Sequence, residues 1–204
     1  LGSTLFDAIT LTGFISFTAA TDVNGNAFVR IAGAVSTKID FLGSLSGSLD
    51  LQFYTNRDTD GDGDGDGPGV IGRVQLALAD SGQIPGFTLT GQFLLELNTF
   101  SSAQTVTSFQ TNKEHDASYG GSQPNILATD ANTGFFVFGS VTIDPGLRLV
   151  LQGMMKLGSA VEISGRFEFS IGPSLLEIKA LAKMKLAGVG QFDINGVFRV
   201  DADG

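Results

Sequence analysis

Period-two alternation is the dominant pattern along this chain. From Val161 to Ile171 every second residue is apolar or glycine, with Glu162, Ser164, Arg166, Glu168 and Ser170 between them. That spacing predicts a half-buried strand with one apolar and one polar face. The same reading predicts strands over about 4–19, 27–38, 41–53, 70–79, 86–98, 135–143, 147–157, 174–187 and 190–201. Leu176–Leu186 is the contested stretch. Its Leu, Ala, Lys, Glu and Met content has helical propensity. Yet positions 176, 178, 180, 182, 184 and 186 are all apolar, while Glu177, Lys179, Lys183 and Lys185 fall between them. The pattern decides for strand.

A short unit recurs within these strands: apolar, any, Gly, any, apolar, centred on Gly13, Gly33, Gly47, Gly72, Gly91, Gly139, Gly153, Gly165 and Gly196. It places glycine on the apolar face in mid-strand, where it normally weakens a sheet and calls for a reason. Such a row is either a bend line along which the sheet coils or the floor of a groove. Charge then suggests register. A hairpin through Leu157–Ala160 sets Lys156 opposite Glu162 and Gly153 opposite Gly165. Continuing the meander sets Glu168 against Lys179, Glu162 against Lys185, Gly165 against Ala182, Lys183 against Asp193 and Glu177 against Arg199. Opposite-charge cross-strand pairs favour that alignment. In the N-terminal half, Gly13 is expected opposite Gly33 with a turn at Asp22-Val23-Asn24-Gly25. Gly72 is likewise expected opposite Gly91, with a turn at Asp80-Ser81-Gly82.

The expected fold is therefore all-β: an antiparallel up-and-down meander of about ten long strands. Twist forbids so many strands from staying flat, so the sheet must curl into a barrel, a half-pipe or a coiled ribbon. Residues 1–204 read as one module, with strand-rich halves 1–98 and 134–204 joined by a long polar loop, 99–133. The strand unit repeats with irregular spacing, and Asp201-Ala202-Asp203-Gly204 breaks off in mid-pattern. The expectation is a fragment of a longer repeat protein. Exposed edge strands in such a unit suggest end-to-end pairing with the next copy.

The connections about 20–26, 54–69 and 99–133 are long and emerge on one side of a meander. The second carries Asp58, Asp60, Asp62, Asp64 and Asp66, five carboxylates within nine residues, interleaved with Thr59 and glycines. Packed carboxylates repel unless a cation compensates them, and Ca²⁺ takes six to eight oxygens from loops that wrap tightly. All five are candidate Ca²⁺ ligands. Asp58, Asp60, Asp62 and Gly63 match the opening of an EF-hand loop, but its twelfth position is Gly69 instead of Glu. The segment is more similar to the Asp-Gly calcium loops of secreted bacterial repeat proteins. The alternative is a solvated acidic hairpin tip. The third connection holds Lys113-Glu114-His115-Asp116, the only place where a histidine could serve as a base. No serine or cysteine partner accompanies it, so no catalytic residue is assigned and an enzyme is not expected.

Composition trims the options further. Twelve Lys+Arg against 21 Asp+Glu give a net charge of −9, which argues against nucleic acid as a partner. There is no cysteine, and no apolar run reaches the length of a membrane-spanning helix. There are 17 Phe but no Trp and only 2 Tyr, which leaves a membrane barrel without its aromatic girdle.

The segment Phe87-Thr88-Leu89-Thr90-Gly91-Gln92-Phe93-Leu94-Leu95-Glu96-Leu97-Asn98, together with the Asp-Gly loop, resembles the tandem β-repeats of very large bacterial surface or adhesin-type proteins. That resemblance implies an extracellular or cell-surface, calcium-stabilised structural role. The leading expectation is thus an assembly module of a fibre or surface layer, a homo-oligomer or polymer built through edge strands. A lipid-binding β-groove or barrel is the first alternative, with lipid or a cell surface as partner. An outer-membrane β-barrel is the second.

Overall fold

A computed structural model of the chain describes residues 12–39, 43–79, 85–118, 137–172 and 175–201. The expected start of the first strand at 4–11, the Asp80-Ser81-Gly82 turn and the connection after Ser118 lie outside the described residues. In chain order the elements are β1 (Thr12–Thr21), β2 (Ala27–Ile39), β3 (Gly43–Tyr54), β4 (Gly69–Ala79), β5 (Phe87–Asn98) and β6 (Gln104–Phe109). A single helical turn, α1 (Asn112–His115), follows. Then come β7 (Phe138–Ile143), β8 (Gly146–Leu157), β9 (Val161–Ile171), β10 (Leu175–Leu186) and β11 (Gly190–Asp201).

Nine of these strands form one antiparallel sheet in the order β1-β2-β3-β4-β5-β8-β9-β10-β11. β6 and β7 form a separate two-stranded sheet. The expected 99–133 loop therefore holds structure of its own, and the expected strand 135–143 pairs with β6 and not with the large sheet. β10 is a strand throughout, as its alternation requires.

From β8 to β11 the register agrees with expectation at every pair named above. The ion pairs are shared out differently. Lys156 meets Glu162 at 3.2 Å, but Lys179 turns to Glu177 and Arg199 to Asp201 on their own strands. In the N-terminal half two registers differ. Gly33 stands opposite Ile15, and Gly13 opposite Val35, a shift of two residues. The hairpin closes through a five-residue loop in place of the expected four-residue turn, with Thr21 opposite Ala27. Asp22 Oδ1 accepts from the backbone N–H of Asn24 (3.0 Å) and of Asn26 (2.9 Å), so the loop spans 22–26. Gly91 stands opposite Leu78, and Gly72 opposite Leu97, six residues from expectation. This register brings Arg73 opposite Glu96, and the two form an ion pair at 2.5 Å.

With these registers every glycine of the repeated unit in the large sheet lies on its apolar face. One row of cross-strand partners starts at Gly13 and passes Val35, Gly47, Phe93 and Leu151 before ending at Gly196. A second row, Gly91–Gly153–Gly165–Ala182, forms a crease. A Cβ at Gly165 would lie 2.7 Å from Ala182 Cβ, and one at Gly153 would lie 2.7 Å from the Thr90 carbonyl oxygen. At Gly153 and Gly165 the neighbouring strand comes too close on the apolar face to leave room for a Cβ.

The core lies on the opposite face. Tyr54, Ile71, Phe100, Val106, Val141 and Ile143 form one buried cluster, and Leu94, Phe109 and Val150 a smaller one. Both seal β6–β7 onto the polar face of the sheet centre. As far as Ser118, segment 99–133 therefore belongs to the polar side of the sheet. Among the described residues no element packs on the apolar face. Nine strands at about 4.8 Å spacing and about 3.3 Å per residue make that face roughly 40 Å by 35 Å. None of its described side chains is charged.

The crease can be tested directly. Gly165→Ala is expected to destabilise the sheet by about 1–3 kcal/mol through overpacking. Gly196→Ala, where nothing lies within 4 Å of the added Cβ, should change stability by less than about 0.5 kcal/mol. Equal urea midpoints for the two variants would contradict the crease.

Candidate metal centre

The β3–β4 connection is pinned at its base before it reaches the aspartates. Arg57 N–H donates to Gly67 O (3.1 Å), Asp66 N–H to Arg57 O (2.8 Å), and Gly67 N–H to Asn56 Oδ1 (2.9 Å). The Arg57 guanidinium, only 4 % exposed, lies 4.4 Å over the Tyr54 ring and 3.7 Å from Asp22 Oδ2. It also donates to the Thr105 carbonyl on β6. Asp58 N–H reaches Asn26 Oδ1 at 3.3 Å, which joins this loop to the β1–β2 hairpin. Burial pushes the Tyr54 hydroxyl up to about 12, against the opposing charge of Arg57.

Above that base the chain folds back on itself. Asp58 accepts from the backbone N–H groups of Gly61 (2.6 Å) and Gly63 (3.0 Å), both glycines having left-handed φ of 83° and 91°. Asp66 Oδ2 accepts from Thr59 N–H at 2.7 Å and from Thr59 Oγ1 at 2.5 Å. The hydroxyl bond first, then the amide bond, holds this carboxyl below the ordinary aspartate value. Asp58, Asp60 and Asp66 each present a carboxylate oxygen within 4.8 Å of the others. Asp62 and Asp64 do not join them; Asp62 Oδ1 instead accepts from Asp64 N–H at 2.8 Å. Of the five expected ligands, the fold thus brings together three. Gly69, at the twelfth EF-hand position, is the first residue of β4, and a strand stands where that motif has a helix. Three convergent carboxylates suit a hard cation, whose remaining ligands would be carbonyl groups or water.

His115 lies exposed on α1, and its neighbour Glu114 is committed elsewhere. Thr111 caps the helix, accepting from Glu114 N–H (3.3 Å), and Glu114 accepts from Thr111 N–H (2.7 Å). The same carboxylate receives Arg73 Nη1 and Nη2 at 2.8 and 2.6 Å. From Arg73 the charges run on across the polar face. Glu96 bridges Arg73 and Arg148, and Glu168 bridges Arg148 and Arg166. Asp50, fully buried, is held by Arg30 (2.7 Å) and Ser108 (2.8 Å). Sequence reasoning missed this ladder. Its signal was Arg73, Glu96, Arg148 and Glu168 at the same phase of successive strands, legible only once the β4–β5 register is known.

No protein family matches the chain, and no curated protein or solved structure does.

Burial alone would raise the Glu114 and Glu168 carboxyls, but their arginine partners outweigh it and hold both below the ordinary 4.5. Their stabilisation is therefore in place above that value and is lost as the pH falls through the lower folded values. Glu114→Gln is expected to cost about 1–3 kcal/mol and to speed amide exchange in β6 and β7. It should also flatten the acid limb of the stability profile. An unchanged profile would remove Glu114 from the latch.

Proposed function

We propose that this chain is a structural module of an extracellular bacterial fibre or surface layer, assembled by sheet-edge pairing and stiffened by calcium. The observation that supports this most is the state of the sheet edges. β1 and β11 each have a single neighbour among the described residues, and every residue of β11 is exposed. A long edge with free N–H and C=O groups is a template for another strand. Among the described residues β1 and β11 do not pair with each other, so the ribbon form suits this sheet better than the barrel.

Ca²⁺ is assigned to Asp58, Asp60 and Asp66, with Asp62 and Asp64 as outer acceptors. Its role is to tie the β3–β4 loop over the Asn26 contact, stiffening the junction of two hairpins. Electron microscopy and light scattering in millimolar Ca²⁺ should find ordered assemblies that soften or come apart with excess chelator. Asp58→Asn combined with Asp66→Asn should reproduce the chelator effect. Assemblies indifferent to both would remove calcium from the proposal.

A second reading draws on a separate observation, the uncovered apolar face and its crease. A groove of about 400 Å³ lies there, lined by Leu78, Leu89, Phe93, Leu151, Met155 and Phe167. Exposed apolar area on this scale marks an interaction surface, and a hydrocarbon chain matches a predominantly apolar wall. This is the lipid-groove alternative. It predicts lipid in organic extracts of the purified protein, recovered in lower amount from Gly91→Leu.

A further inference from the structure

The β11 edge has a feature that selects its partner. On the polar face of β11 stand Gln191, Asp193, Asn195, Val197, Arg199 and Asp201; on the apolar face stand Phe192, Ile194, Gly196, Phe198 and Val200. Asp193 and Arg199 lie three residues to either side of Gly196. We propose that the partner of this edge is the β11 edge of a second copy, antiparallel about a two-fold axis through Gly196. The proposal rests on the edge-pairing reading and gives it a partner and a register.

Three physical points carry it. The first is charge. With Gly196 opposite its own counterpart, Arg199 of each copy faces Asp193 of the other, twice per interface, and Asn195 faces Val197. Opposite-charge pairs across antiparallel strands are favourable, and like charges are not. Moving the register by two residues one way sets Asp201 against Asp193. Moving it two residues the other way leaves no opposite charges facing. The second is the face. A two-fold axis normal to the sheet keeps both apolar faces on one side and carries the glycine row through the junction, with Phe198 beside Ile194 of the other copy. The third is the competing edge. β1 carries no charge from Thr12 to Thr21, so nothing on it selects a register. β1 and β11 are also the first and last of nine alternating strands and run the same way. A translated copy would therefore meet β11 in parallel, the slightly weaker pairing. Arg199 and Asp193 stand opposite Glu177 and Lys183 of β10 but form no ion pair with them. Arg199 now reaches Asp201 on its own strand at 2.9 Å, in an ion pair about half exposed, and Asp193 accepts only from Gln191 at 3.0 Å.

The test is a charge-swap mixing experiment on the whole chain, read by analytical ultracentrifugation. Arg199→Asp and Asp193→Arg should each weaken self-association about tenfold or more, because each puts like charges in both facing pairs. Mixed one to one, the two variants should dimerise, since all four facing positions are then complementary. A second variant does not depend on charge. The chain has no cysteine, and a Cβ at Gly196 meets nothing within 4 Å. Facing Cα atoms of an antiparallel pair are about 4.5–5.5 Å apart, within disulfide range. Gly196→Cys should therefore give a covalent dimer on mild oxidation, and Phe198→Cys should not. Association of the single variants as strong as that of the unaltered chain, or a mixture that stays monomeric, overturns this register. Filaments that persist in those variants would keep edge assembly standing through another edge. A chain that never self-associates sinks both.

Discussion

The fold depends on the pairing of Arg73 with Glu96 beneath a lid of two short strands. A strand that slips by one residue sends its apolar side chains to the wrong face, so alternation forbids odd slips. A slip of two or six residues keeps every face correct, and alternation cannot reject it. Charges can. Arg73, Glu96, Arg148 and Glu168 stand on one face of adjacent strands, and in the observed alignment Glu96 bridges Arg73 and Arg148 while Arg148 also reaches Glu168. Buried ion pairs add little net stability, because desolvation offsets most of the attraction. Their consequence here is register, and register decides where the glycines meet.

That alignment produces an unusual division of labour between the two faces. The polar face carries the ladder and is sealed at its centre by β6, α1 and β7. Glu114 serves at once as the N3 partner of the Thr111 capping box and as an ion-pair partner of Arg73. The apolar face, which a two-layer protein would bury, is left to itself and creased along Gly91, Gly153, Gly165 and Ala182. Among the described residues nothing covers it. Edge growth and surface cover are separate needs. Pairing two β11 strands would lengthen the apolar face without covering it, so an assembly module and a lipid-facing groove are compatible in one sheet.

The aspartate loop belongs to the same economy. Its base is tied to the β1–β2 hairpin through Asn26 and Asp22, and to the lid through the Arg57 bond with Thr105. A cation held by Asp58, Asp60 and Asp66 would act where three elements meet, far from the open edge. Calcium would then govern the stiffness of the module, and β11 the choice of its neighbour.

Much of this was legible in the chain itself, and the pattern of success has a physical cause. Alternation identified the strands, including β10 against its helical propensity, because the two faces of a sheet see different solvents. Register was readable from β8 to β11, where lysines and acids are dense and the turns are short. It was misread by two residues at Gly33 and by six at Gly91, even shifts that alternation allows. The sequence also marked an acidic loop but not which three of its five carboxylates converge, since that follows from where Gly61 and Gly63 turn the backbone. β6 was hidden in a polar segment, because its partner is β7 and its burial comes from packing across the sheet. The sequence by itself determined strand identity and face, which are set by neighbours two residues apart. Only the tertiary structure decided which face is covered, since that depends on contacts between segments far apart in the chain, such as Arg73 with Glu114 and Asp50 with Ser108.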